Sequence, residues 1–199
     1  EIGNIDAYRR VIYQLAGRLG GLLEYRQLGN DAGVNQITSK KYVNIWQESL
    51  TGFLLEPFFL NLSTRIKKSK KVYFCDNALA WAMNDFKDRK ILRAGGEMGN
   101  YLENLLIMDF IKWGLNARFA PHFYFWEKSQ ACEVDLVIKT AGMIIPVEIK
   151  ISTQINKRYL QGLNMFMAKH KTKNIDIPFG LVIYNGEFLC ADKNIFCLP

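Results

Sequence analysis

Histidine is scarce. Only His122 and His170 occur in 199 residues, too few for a histidine-rich metal site. Cysteine is sparse too: Cys75, Cys132, Cys190 and Cys197 form no C-x-x-C pair. Their apolar or strand-like flanks point to packed, reduced thiols rather than a disulfide scaffold. No glycine is followed by lysine, so the phosphate-cradling G-x-x-x-x-G-K-[ST] loop is missing and this chain by itself is not expected to hydrolyse ATP. Long apolar runs are missing as well. Glu56 and Pro57, or Asp109 and Lys112, interrupt the longest stretches, and none reaches the ~18 residues of a membrane span. The opening residues show no charged-then-apolar leader pattern. Together these absences point to a cytoplasmic protein without a membrane partner. Residue 1 is glutamate rather than methionine, which suggests a piece of a longer polypeptide.

Hydrophobic residues make up 49% of the chain and charged residues 23%, the balance of an ordinary folded protein able to bury a core. The net charge is +7, compatible with a polyanionic partner. The texture changes near residues 85–98, where the polar run Asp85 to Lys90 and the Gly95-Gly96 break precede a strongly periodic segment. Two domains are expected, over residues 1–90 and 91–199.

In the first, Tyr8, Ile12, Leu15, Ala16 and Leu19 are spaced for one face of a helix over 6–20. A short helix over about 24–31 ends near Gly33, and Asn35 is a good N-cap for a third helix running to about Leu50. The apolar, aromatic-rich stretches from Phe53 to Leu62 and from Lys71 to Cys75 read as two strands. Five basic residues in seven join them: Arg65, Lys67, Lys68, Lys70 and Lys71. Helix, turn, helix and a basic-tipped hairpin is the order of a winged helix-turn-helix. In that arrangement Gln36, Thr38, Ser39 and Lys40 are offered to the major groove, and the basic tip neutralises phosphates without reading bases. A helical hairpin for protein contacts with a solvated basic loop explains the same residues.

The second half reads αβββαβ with one extra strand. Met98 to Trp113 has helical periodicity, with Leu102, Leu105, Leu106, Met108, Phe110 and Ile111 expected in the core and Glu103 among them. Strands are expected over 117–127, 132–139 and 143–151, a helix over about 156–169, and strands over 178–184 and 187–191. Glu148 and Lys150, two apart in a strand, share a face while Ile149 takes the other. A two-residue turn at Ala141-Gly142 sets Asp135 opposite Glu148, about 5 Å away. Two carboxylates beside an ammonium in apolar strands suit a divalent ion, Mg²⁺ or Mn²⁺, which relieves their repulsion. Asp135 and Glu148 then hold the metal, Lys150 acts on a water and on the charge of a phosphorane-like transition state, and Glu103 adds a contact from the helix. E-x-K also arises by chance as a surface ion pair, and Pro146 fits a strand start or edge better than a strand centre.

Residues 99–150 resemble the PD-(D/E)xK nuclease superfamily, through Glu103 in GNYLEN, Asp135 in CEVDLVI, and Glu148 with Lys150 in PVEIK. The whole chain resembles the uncharacterised domain found at the C-terminus of many prokaryotic AAA-type ATPases. The helix around Lys41-Tyr42, KVYFCDNALA (71–80), GNYLEN, FYFWEKSQACEVDLVI and IIPVEIK carry that likeness. Asn77-Ala78 departs from the Thr-Gly pair usual there, and Glu127 from a common basic residue. The resemblance implies an α/β protein: a winged helix-turn-helix followed by a restriction-endonuclease-like domain. It further implies DNA as partner, an upstream ATPase in the same polypeptide as the only route to ATP, and catalytic roles for Glu103, Asp135, Glu148 and Lys150. A non-catalytic interaction module with a degenerate nuclease fold is the alternative.

Overall fold

The computed structural model describes residues 2–84, 97–118, 120–129, 132–172 and 175–199. The chain is a mixed α/β protein that divides into two compact units. One comprises Glu1–Leu55 and Lys68–Met108, the other Glu56–Lys67 and Asp109–Pro199. The expected division at 90/91, with its polar run and glycine pair, lies outside the described residues. Among the described residues no helix is long and apolar enough to cross a membrane.

In the first unit, helix α1 (Ile5–Ala16) starts at Asn4, whose side chain accepts from the Ala7 amide, and it buries Ala7, Val11, Ile12, Leu15 and Ala16. Helix α2 (Tyr25–Ala32) ends at Gly33, in the left-handed region at φ 66°, which L side chains resist. Gly29 is needed for a different reason: a Cβ there would stand 2.8 Å from the Val34 carbonyl oxygen. Helix α3 (Gln36–Glu48) begins at the expected Asn35 cap, which accepts from the Thr38 amide at 2.8 Å. Trp46 of α3 is fully buried against Phe74, ring to ring at 5.0 Å.

Strand β1 (Gly52–Pro57) then pairs antiparallel with β2 (Lys71–Phe74) through its first four residues. The first expected strand is shorter than its apolar composition indicated. Proline brings no amide hydrogen to a ladder, β1 stops at Pro57, and Asn61 caps a short helix α4 (Leu62–Ile66) instead. The basic segment is therefore not one hairpin tip. Arg65 lies in a helix of the second unit, and Lys71 begins a strand of the first. Helix α5 (Asn77–Met83) follows directly, with Asp76 as its cap accepting from the Ala78 amide. The Asn77-Ala78 departure is thus accommodated as the first turn of a helix.

Helix α6 (Met98–Asn116) packs differently from its hydrophobic pattern. Leu105 is 46% exposed, whereas the buried stripe runs Tyr101, Asn104, Ile107, Met108 and Ile111, centred on a polar residue. Asn104 behaves as a strand partner. Its Oδ1 accepts from the Phe74 amide at 2.7 Å and its Nδ2 donates to the Phe74 carbonyl at 2.9 Å, which satisfies backbone groups at the end of β2.

In the second unit the last residues of β1, Glu56 and Pro57, pair in parallel with Tyr124 and Phe125 of β3 (His122–Ser129). The ladder continues antiparallel through β4 (Cys132–Lys139) and β5 (Ile144–Lys150). It then runs parallel from β5 to β6 (Gly180–Tyr184) and from β6 to β8 (Ile195–Leu198), with β7 (Leu189–Asp192) antiparallel on β8. Strand β8 was not expected. It is four residues long, too short to show a period, yet it sits between β6 and β7 with Ile195 and Cys197 fully buried.

Helix α7 (Lys157–His170) covers this sheet with Leu163 and Phe166 fully buried. Phe166 meets Phe58 and Trp126 edge-on, at 5.4 and 5.5 Å between ring centres. The helix comes so close to β4 that a Cβ on Gly162 would lie 2.0 Å from the Glu133 carbonyl oxygen. Backbone cannot yield there as a flexible side chain would. Gly162→Ala is therefore expected to cost at least about 2 kcal/mol, read as a lower urea midpoint at unchanged slope. An unchanged midpoint would contradict this packing.

Candidate active site

The second unit brings Asp135, Glu148 and Lys150 together, and the β4–β5 hairpin does the positioning. Thr140 donates its amide to Met143 O at 2.9 Å, and Gly142 takes φ 140°, a conformation suited to glycine. Lys139 then pairs with Ile144, Ile138 with Ile145, Val137 with Pro146 and Leu136 with Val147, the register expected from a two-residue turn. The next residues in that register are Asp135 and Glu148. Here the Asp135 side chain takes over from the backbone: its Oδ2 accepts from the Ile149 amide at 2.7 Å.

Both carboxylates are buried, Asp135 at 1% and Glu148 at 5% exposure. Lys150 reaches both. Its Nζ lies 2.7 Å from Glu148 Oε1 and 3.3 Å from Asp135 Oδ2, with 27% of its side chain exposed. With both carboxyls ionised the charges sum to one net negative, and Glu148 Oε2, buried, has no hydrogen-bond partner among the described residues. Burial, and then the Asp135 charge, push the Glu148 carboxyl up to about 8 against the pull of Lys150. Burial works to lower the Lys150 ammonium, but Asp135 and Glu148 outweigh it and hold its pKa raised.

Among the described residues no group of three or more His, Cys, Asp or Glu side chains is placed to hold a metal. Two carboxylates are nonetheless what Mg²⁺ takes from a protein when waters and phosphate oxygens complete its octahedron. The orphaned Glu148 oxygen beside Asp135 fits that role.

Glu103 contacts Tyr73 and Lys71 of the first unit. Its Oε1 accepts from Tyr73 Oη at 2.6 Å and stands 3.6 Å from the Lys71 ammonium. Lys71 is itself buried. Asn104, which the sequence reading did not single out, shares the GNYLEN motif, and its signal was there: three residues after Tyr101 places both on one helix face. Tyr101 is tied in as well, with its carbonyl accepting from Asn77 Nδ2 and its hydroxyl from Asn84 Nδ2, each at 2.9 Å.

Of the residues expected to meet DNA, Gln36 and Lys40 are exposed and Thr38 half-buried at the start of α3. Ser39 is buried, and its hydroxyl donates to Tyr25 O and Gln36 O at 2.9 Å each. It fastens α3 to the start of α2 rather than facing outward. Arg65 donates to Tyr124 Oη at 2.9 Å, stacks over that ring at 5.0 Å and stands 3.4 Å from Glu56. Lys67 and Lys68 are exposed and Lys70 is half-buried.

A carboxyl raised by folding binds its proton more tightly in the native state, so its contribution is fully present below the unfolded value of 4.5 and is lost as pH rises towards 8. Glu148→Gln removes this loss. The stability of the variant minus that of the wild type is expected to rise by on the order of 3 kcal/mol between pH 5 and pH 9, read from urea melts. A pH-independent difference would contradict the environment described for Glu148.

Residues 98–199 match the family described as Domain of unknown function (DUF4143), and residues 1–90 match Domain of unknown function (DUF8612). The chain is also 29% identical over 143 residues to Uncharacterized protein Rv2008c of Mycobacterium tuberculosis and to Uncharacterized protein Mb2031c of Mycobacterium bovis. Each match takes in 71% of this chain and 31% of the relative, so the chain spans about a third of the length of these relatives. Because residues 98–199 make up more than half of the chain, it belongs to the DUF4143 family of domains of unknown function.

Proposed function

We propose that the chain is part of a prokaryotic AAA-type ATPase, binds DNA, and carries a PD-(D/E)xK-type, metal-dependent phosphodiester-cleaving site at Asp135, Glu148 and Lys150. The observation that carries this reading is the pair of buried carboxyl groups, Asp135 and Glu148, beside the Lys150 ammonium, with one carboxyl oxygen, Glu148 Oε2, unpartnered among the described residues. An apolar strand pair has no structural need for such an oxygen, whose desolvation costs about 1–3 kcal/mol or more when unpaired. The order α6, β3, β4, β5, α7, β6 is that of the αβββαβ core of this nuclease class and supports the reading. Three helices followed by the β1–β2 ladder support a winged helix-turn-helix in the first unit. There the exposed Gln36, Lys40 and Lys68 are the proposed DNA contacts, and in the second unit the exposed Lys67 is another. The greater length of the mycobacterial relatives is compatible with an ATPase in the same polypeptide.

In this reading Asp135 and Glu148 hold Mg²⁺ or Mn²⁺, which when bound supplies Lewis-acid activation of water and of the phosphate oxygens. The Ile149 amide fixes the Asp135 carboxylate. Lys150, drawn to the site by both carboxylates, orients the attacking water and opposes the negative charge that grows on the phosphate.

A second reading, a non-catalytic nucleic-acid or protein-interaction module, is favoured by the ion contacts of Lys150 with both carboxylates. Plasmid nicking with and without Mg²⁺ separates the two. Cutting by the wild type is expected, lost by about 10²-fold or more in Lys150→Ala, while calorimetric Mn²⁺ binding persists in Lys150→Ala and disappears in Asp135→Asn. A wild type that never cuts, with or without its upstream ATPase, leaves the non-catalytic reading standing.

A further inference from the structure

Asp135 and Glu148 are buried, and Lys150 is the most exposed of the three. A substrate reaching this cluster must pass over the elements around Lys150. Strands β5, β6 and β8 run parallel, so their C-terminal ends share one edge, where open sheets present their ligand sites. Lys150 pairs with Tyr184 at that edge. The chain leaves β5 through 151–156 into α7 and leaves β6 through 185–188, and the two loops are tied together. Asn185 donates its amide to Ser152 O at 3.0 Å. Gly186 permits the approach, since a Cβ there would stand 2.3 Å from the Tyr184 ring and 2.8 Å from Thr153 O.

The first turn of α7 carries Lys157 and Arg158, both exposed. Neither side chain pairs with a carboxylate among the described residues, and the turn has no acidic residue. Cations at a helix N-terminus oppose the helix dipole, so helix stability gives no reason for them. Tyr159, next in the same turn, has its ring 5.9 Å from the Lys150 ammonium, which sets this turn beside the cluster. The neighbouring loop supplies Phe188, 64% exposed, with Glu187 as its acidic residue.

We propose that this edge binds a single strand of nucleic acid, with Lys157 and Arg158 on successive backbone phosphates and Phe188 as a stacking platform for a base. The position of the surface rests on reading Lys150 as part of a phosphodiester site. Unpaired cations with a solvent-facing ring are the elements of single-strand recognition, where each base offers a free π-face. In a duplex that face is already stacked, and Phe188 would gain nothing.

The test is fluorescence anisotropy of the full chain with labelled oligothymidylate and with a labelled duplex across a salt series, without divalent ions. Tighter binding of the single strand is expected. Phe188→Ala should weaken it by on the order of tenfold, with Phe188→Tyr restoring it. The double variant Lys157→Gln, Arg158→Gln should lower the log–log salt slope by roughly 0.7 per lost contact. Unchanged affinity and slope in these variants, tighter binding of the duplex, or equal displacement by polyglutamate would each overturn the proposal. Binding with this pattern but no Mg²⁺-dependent nicking sinks the catalytic reading and leaves the edge as a single-strand surface. Nicking without this pattern does the reverse.

Discussion

The ammonium of Lys150 between two buried carboxylates is the constraint around which the second unit is organised. Removing two carboxylates from water is costly, and each further like charge raises the cost. One cation within 2.7 and 3.3 Å, together with the Ile149 amide on Asp135, makes the burial tolerable. That compensation holds only in one strand register. A slip of one residue would turn Asp135 or Glu148 to the opposite face, so the Thr140–Met143 turn and the ion cluster specify the same pairing. Pro146 is the third residue of β5, opposite Val137 of β4 and one residue before the pairing with β6 begins at Val147, rather than at a strand start or edge as its type suggested.

The compensation is incomplete, which is what separates this cluster from an ordinary internal ion pair. A matched pair would leave no orphaned oxygen, yet Glu148 Oε2 has no partner among the described residues and its carboxyl is pushed up to about 8. Perturbed carboxyls of this kind concentrate where chemistry is done. The first unit shows the contrasting case. Glu103 meets the Tyr73 hydroxyl and the Lys71 ammonium, while Asn104 serves the Phe74 backbone in both directions. The GNYLEN segment thereby fastens α6 to β2.

Charge in the basic segment is divided in the same way. Arg65 is spent on Tyr124 and Glu56, and Lys71 on Glu103, which leaves Lys67 and Lys68 facing solvent. A run of five cations reads as one patch in a sequence because spacing carries no record of which side chains fold back. The two loops at the end of β5 and β6 illustrate the converse. Lys157 and Arg158 in the first turn of α7 are distant in sequence from Phe188 and form no motif with it, and the β5–β6 pairing with the backbone hydrogen bond between Asn185 and Ser152 makes the loops that lead to them neighbours.

Much of the local structure was legible from residue type alone. Asn35 announced the start of α3 and Gly33 the end of α2, because capping and positive φ are decided by the residue itself. The β4–β5 register followed from a two-residue turn and a period of two, and with it the meeting of Asp135, Glu148 and Lys150. What lay beyond the sequence depended on partners distant along the chain. The insertion of the four-residue β8 between β6 and β7, the burial of Ser39 and Lys71, and the engagement of Glu103 with Tyr73 were all decided by tertiary packing. Local propensity is a property of each residue and its near neighbours, whereas burial and ion pairing belong to pairs that only the folded chain brings together.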